Sequence, residues 1–160
     1  MRRNRFALSL KSEQVGSANP SIRVLLIDDY EPYRKRVSVL FEERPGFQIV
    51  GEAIDGPEGV RKAAELKPDL VIVDIALPKL NGIEVTRQIR SVSPDSHVVF
   101  LTGNNSPEVA REALDAGANA YVVKSDAPTE LFAAVEAALG GKQYVSKKLA
   151  GRGLIRQEPH

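Results

Sequence analysis

The chain contains no cysteine and no tryptophan, a single methionine, and two histidines, His97 and His160. Without cysteine there can be no disulfide framework, no thiol nucleophile and no thiolate-held zinc or iron–sulfur centre, and a reducing cytoplasmic setting suits such a composition. With His97 and His160 as the full complement of imidazoles, a multi-histidine metal site is excluded as well. No apolar run approaches the ~20 residues needed to cross a bilayer, so neither a transmembrane helix nor a membrane partner is expected. The apolar stretch nearest the start, Phe6-Ala7-Leu8-Ser9-Leu10, is too short for the core of a secretory signal peptide. Residues 1–20 therefore read as a flexible basic leader, and the protein as cytoplasmic.

What is present is ordinary for a globular chain. Of 160 residues, 42% are apolar and 27% charged, which rules out a collagen-like or wholly disordered polymer and suffices for one domain with a sizeable core. The net charge of +1 conceals an uneven distribution. Arg2, Arg3, Arg5 and Lys11 against Glu13 make residues 1–20 net +3, and Lys147, Lys148, Arg152 and Arg156 against Glu158 do the same for residues 147–160. The segment between them is net −5. A nucleic-acid-binding face would carry its excess lysine and arginine on folded structure, so specific DNA binding by this chain is not expected.

From Ser21 onward, short β-branched runs alternate with helical patterns. The runs are Ile22–Ile27, Phe47–Glu52, Leu70–Val73, His97–Leu101 and Ala120–Val123, spaced by about one strand plus one crossover helix. Between them, Tyr33, Val37, Leu40 and Phe41 mark the buried stripe of a helix, as do Val85, Ile89 and Val92, and Leu131, Val135, Ala138 and Leu139. Pro57-Glu58, Pro107-Glu108 and Pro128-Thr129-Glu130 place proline and then acid where helices open, while Gly117 and Gly140-Gly141 stand where they close. Five βα units in series predict an α/β fold, a five-stranded parallel sheet flanked by five helices. The second run is the most polar and suits an edge.

Ligands of open α/β sheets bind beyond the carboxyl ends of the strands. There, strand 1 runs into Asp28-Asp29, strand 3 ends at Asp74, strand 4 at Thr102 and strand 5 at Lys124. Taken singly, each has a plain structural reading: an Asp caps a helix, a Thr closes a turn, a Lys is solvated. Taken together, they call for a cation, because three carboxylates on one rim repel one another. Mg²⁺ is the natural choice, since it binds through one or two carboxylates and keeps waters for a phosphate. Mg²⁺ and Lys124 together balance the three aspartates, a neutral cradle suited to phosphoryl transfer, with a carboxylate able to act as nucleophile.

The strings Val-Leu-Leu-Ile-Asp28-Asp29, Leu-Val-Ile-Val-Asp74-Ile-Ala-Leu-Pro78 with Gly82, Val-Val-Phe-Leu-Thr102-Gly and Ala-Tyr121-Val-Val-Lys124 resemble the receiver domain of two-component response regulators. The resemblance spans roughly residues 21–140. It implies a flavodoxin-like (βα)5 fold with strand order 2-1-3-4-5, Asp74 as phosphoacceptor, and Mg²⁺ held by Asp28, Asp29, Asp74 and the backbone carbonyl of Ala76. It further implies that Thr102 and Lys124 contact the phosphoryl group, that Thr102 and Tyr121 form the switch, and that Arg34 is the family's first-helix arginine; a surface arginine is the other reading. The stretch from Ala113 to Lys124, with Gly141-Lys-Gln-Tyr144-Val-Ser146, is similar to the NarL/FixJ subgroup. Lys124 is followed by Ser125, where many receivers have proline.

The expectation is thus a receiver domain over residues 21–146 with a short basic tail over 147–160 and no output domain. It would be a switch, not an enzyme acting on a separate substrate, with a sensor histidine kinase or phosphotransfer protein as partner and self-association on phosphorylation as a further outcome. The output surface would be the face of helix 4, strand 5 and helix 5. Two alternatives stay open: the receiver half of a LuxR-type DNA-binding regulator, and a Mg²⁺-dependent phosphatase using Asp74 as nucleophile. A nucleotide-binding G-x-x-x-x-G-K-[ST] loop, a G-x-G-x-x-G turn and a G-x-S-x-G elbow are absent. His97 opens strand 4, at the opposite end of the sheet from the aspartates.

Overall fold

The computed structural model describes residues 21–150. The leader expected over 1–20 and the part of the tail from 151 to 160 lie outside the described residues. In chain order the elements are β1 (Ile22–Ile27), α1 (Glu31–Glu42), β2 (Phe47–Ala53), α2 (Gly56–Leu66), β3 (Leu70–Val73), α3 (Gly82–Val92), β4 (His97–Thr102), α4 (Pro107–Asp115), β5 (Ala120–Val123), α5 (Ala127–Leu139) and β6 (Tyr144–Val145). A 3-10 turn, Lys124–Asp126, joins β5 to α5, and a helical turn, Lys147–Leu149, follows β6. All strand pairs are parallel, in the order β2-β1-β3-β4-β5-β6.

The sheet has six strands where the periodicity predicts five. The Tyr144–Val145 segment is too short to carry a periodic signal, and it becomes a strand by pairing Ala120↔Tyr144 and Tyr121↔Val145 along the outer edge of β5. Pairing satisfies backbone groups that an edge strand leaves open. The expected boundary at 146 therefore falls inside the packed body. Ser146 is fully buried and Leu149 is 2% exposed against Tyr121, Val123 and Val145.

Alternation along the strands sorts the core into two layers. Leu25, Ile27, Val71, Val73, Val98, Phe100, Tyr121 and Val123 face α2, α3 and α4; Val24, Leu26, Leu70, Ile72, Val99, Leu101 and Val122 face α1 and α5. Helix α1 is anchored by Phe41, whose ring meets Phe47 of β2 and Phe132 of α5 edge-on, at 5.3 and 5.0 Å between centroids. Asp55, Asn81 and Ser106 cap α2, α3 and α4 by accepting first-turn amides. The β1–β2 register slips at Val24/Leu25, where Ile49 and Gly51 take consecutive partners and Val50 is left as a bulge. This slip reverses the facing of the remaining strand residues, so Ala53 enters the α2 layer and Glu52 turns toward α1. Among the described residues no helix is long and apolar enough to cross a membrane.

Candidate functional site

The parallel register assembles the rim. Ile27 pairs with Val73, so the next residues, Asp28 and Asp74, emerge side by side, and the Asp74 amide donates to the Ile27 carbonyl at 3.0 Å. Both carboxylates are buried, each 7% exposed. Lys124 follows β5 and reaches across β4: its Nζ lies 2.9 Å from Asp28 Oδ2 and 3.0 Å from Asp74 Oδ2. Burial works against the ammonium, but the hydrogen bonds to Asp28 and Asp74 and their negative charge outweigh it and hold the Lys124 pKa above the ordinary lysine value.

The other oxygens are also engaged. Asp28 Oδ1 accepts the Tyr30 amide at 2.9 Å, and Asp74 Oδ1 accepts the Ala76 amide at 3.3 Å, which sets the Ala76 peptide beside the carboxylate. Asp29, by contrast, is exposed. Gly82 lies so close beneath the Asp74 carbonyl that a Cβ there would overlap it. Lys79 adopts φ 71° in the loop between Asp74 and Gly82, and its ammonium lies 3.4 Å from Asp55 Oδ2.

Arg34 is no surface arginine. Its guanidinium donates to the backbone carbonyl of Asp28 at 2.8 Å and to Glu52 Oε1 at 2.6 Å, with the side chain 12% exposed. It thereby pins the β1–α1 loop, and the bulge in β2 is what turns its partner Glu52 toward it. On the preceding residue, the Tyr33 ring stands over Lys124 Nζ, 4.3 Å from ring centroid to nitrogen. The apolar periodicity marks Tyr33 as a core position; its neighbour in space is a cation, a relation that spacing on one helix does not encode.

Thr102 is 1% exposed, and its Oγ1 accepts the Asn104 amide at 3.3 Å. Tyr121 is fully buried, its ring tilted against Phe100 at 5.9 Å and its hydroxyl donating to the Asn104 carbonyl at 2.7 Å. Burial raises the Tyr121 pKa, so the hydroxyl stays a donor. Thr102 and Tyr121 are thus joined through one residue of the β4–α4 loop, and the tyrosine ring is already inside. At the opposite rim, His97 pairs with Leu70 at the entry of β4.

A hard cation fits this chemistry. Two buried carboxylates sharing one ammonium leave a net −1 and all-oxygen donors, which suits an ion that takes one or two carboxylates and completes its shell with water. Asp28 and Asp74 set two such carboxylates side by side, and Asp29 beside them is exposed. Among the described residues no three acidic or histidine side chains converge as a preformed metal cluster.

The family profile described as "Response regulator receiver domain" matches residues 24–136, from β1 into α5. The chain is similar to the "Transcriptional regulatory protein LiaR" of Bacillus subtilis (strain 168), 38% identical over 135 residues, covering 84% of this chain and 64% of that protein. It is also similar to the "Virulence factors putative positive transcription regulator BvgA" of Bordetella pertussis, 38% identical over 122 residues, covering 76% of this chain and 58% of that one. It therefore spans less than two thirds of these relatives' length. Among solved structures, a LuxR-family two-component response regulator from Aurantimonas sp. SI85-9A1 superposes with a TM-score of 0.78 at 38% identity, over 82% of this chain and 94% of that one. The response regulator domain of Thermotoga maritima CheB does so with 0.70 at 30%, over 75% and 97%. The chain belongs to the family of two-component response regulator receiver domains.

Proposed function

We propose that Asp74 accepts a phosphoryl group from a phosphohistidine on a sensor histidine kinase or phosphotransfer protein, and that the bond switches the α4–β5–α5 surface. The observation that carries this is Lys124, held at once by the two buried carboxylates Asp28 and Asp74. An Asp74 carboxylate oxygen attacks phosphorus; the O–P bond forms as the P–N bond to the donor imidazole breaks, and the imidazole keeps the electron pair and takes a proton. With a small acyl phosphate the leaving group is the carboxylate. Lys124 meets the phosphoryl oxygens as they arrive, and Thr102 donates its hydroxyl to one of them. Mg²⁺ bound at Asp28, Asp29, Asp74 and the Ala76 carbonyl would neutralise developing charge. The reaction is a modification of the chain itself and not turnover of a separate substrate.

Drawing Thr102 toward the phosphoryl group pulls on the Asn104 amide, and Tyr121 follows through the Asn104 carbonyl. The shift reaches only as far as phosphate binds the two states differently. The test is incubation with Mg²⁺ and acetyl phosphate. One acid-stable, base-labile phosphoryl group is expected at Asp74, absent from Asp74→Asn, with the amide shifts on adding beryllofluoride clustered at α4, β5 and α5. Labelling of Asp74→Asn at the wild-type rate would overturn the reading, and sustained turnover of a phosphate ester would favour a phosphatase.

A second reading is favoured by the relatives: LiaR and BvgA are transcription regulators by name, and this chain covers 64% and 58% of them. On that reading the domain is the input half of a DNA-binding regulator. The 160 residues alone should then show weak contacts to duplex DNA that fade with salt. Salt-resistant, sequence-selective binding by them would place DNA recognition within this chain.

A further inference from the structure

An ammonium carries three donor hydrogens. Lys124 directs two of them at Asp28 Oδ2 and Asp74 Oδ2, at 2.9 and 3.0 Å, and its Nζ lies 4.3 Å from the centroid of the Tyr33 ring. That separation is well inside the ~6 Å over which an aromatic face attracts a cation. Tyr33 is half-buried in the first turn of α1, and the adjacent Arg34 ties that turn to the Asp28 carbonyl. The ring is therefore mounted on the helix turn that follows, and is tied to, the loop carrying one of the two carboxylates.

We infer that Tyr33 is a positioning residue for Lys124, its ring face holding the ammonium between Asp28 and Asp74 where an incoming phosphoryl group must meet it. This rests on the proposed role of Asp74. A lysine stem has four rotatable bonds, and a half-buried ammonium has shed part of its water. An aliphatic neighbour would exclude water and return nothing, whereas the negative face of an aromatic ring replaces part of the lost hydration. The quadrupole belongs to the ring and not to the hydroxyl, so phenylalanine should substitute and leucine should not.

The experiment compares the full chain with Tyr33→Phe and Tyr33→Leu. In the wild type and Tyr33→Phe, NMR should find the Lys124 ε-methylene protons shifted upfield by the ring current; in Tyr33→Leu that shift should vanish. Labelling by acetyl phosphate and Mg²⁺ should stay within about twofold of wild type for Tyr33→Phe and fall about threefold to tenfold for Tyr33→Leu. Thermal melts establish that each variant is folded. If Tyr33→Leu does not fold, the wild-type ring-current shift and the Tyr33→Phe rate still decide. A wild type without the shift, a Tyr33→Leu protein labelled at the wild-type rate, or a Tyr33→Phe protein as slow as Tyr33→Leu would overturn the inference. A wild type that is not labelled at all overturns the phosphoacceptor reading and the positioning role together. A labelled wild type beside an unaffected Tyr33→Leu overturns the positioning role alone.

Discussion

Lys124 shows how a single side chain holds two elements together. Its ammonium neutralises part of a buried pair, so Lys124→Met leaves Asp28 and Asp74 facing each other without a counter-charge. Because the lysine is 21% exposed, the cost should fall between a surface and a fully buried pair, roughly 1–3 kcal/mol in chemical denaturation. The pH dependence comes from the raised lysine pKa. A group whose pKa is higher when folded contributes its full stability below the unfolded value and loses it as pH rises through the folded one. The gap between wild type and Lys124→Met should therefore be constant through neutral pH and close in alkali, above about 10.5. A gap unchanged in strong alkali would contradict it. Gly82 makes a second residue-scale case. Gly82→Ala drives a methyl into the Asp74 carbonyl, and overpacking of that kind costs roughly 1–3 kcal/mol. Labelling should slow with it, because the displaced backbone carries Asp74. The glycine is visible in the sequence; that its missing side chain makes room for the Asp74 carbonyl is not.

Among the elements, the helices were the most legible, since caps and prolines act locally. Asp55 accepts the Glu58 amide, and Glu58 in turn accepts the Ile54 amide; these hydrogen bonds hold both carboxyl groups below their ordinary pKa values. A depressed folded pKa means stability present above the unfolded value and lost as pH falls through the folded one. The melting-temperature difference between wild type and Asp55→Ala should therefore shrink as the pH drops below about 4. The sixth strand went unread because two residues cannot display a period; contacts with distant residues are what make it a strand. Ser146 Oγ accepts the Val123 amide at 2.9 Å, the Ser146 amide donates to the Tyr121 carbonyl at 2.9 Å, and Glu130 accepts both the Tyr144 hydroxyl and the Lys147 amide. Leu149 closes this seam. Leu149→Ala should cost about 2–5 kcal/mol, as a buried leucine does, where an unstructured basic tail would cost nothing.

On the scale of the molecule, the acidic rim is where folding and ligand binding oppose each other. A cation that binds the folded rim and not the unfolded chain stabilises by mass action, about 1.4 kcal/mol at ten times its dissociation constant. Mg²⁺ should accordingly raise the melting temperature by a few degrees. On the proposed metal site, the rise should be smaller in Asp28→Ala and in Asp29→Ala, because each would remove a hard oxygen ligand. An unchanged rise in both variants would remove the metal from this rim. Asp29 is the sharper test, since it is exposed and stands apart from the Lys124 pair.

Composition and periodicity alone determined the alternation of strands and helices, the polar second strand, and the convergence of Asp28, Asp74, Thr102 and Lys124 on one rim, because each arises from local chain geometry repeated along a parallel sheet. The strand order came from likeness to a family and not from spacing, since a βα repeat is compatible with several orders. Three things belong to the tertiary structure. The bulge at Val50 turns Glu52 toward Arg34, where strict alternation would have turned it away. The stem of Lys124 crosses β4 to reach two carboxylates and an aromatic ring. The chain beyond α5 folds back to close the edge of β5. Each depends on contacts between residues far apart in sequence, where a one-residue shift in register or the reach of a long side chain decides the outcome.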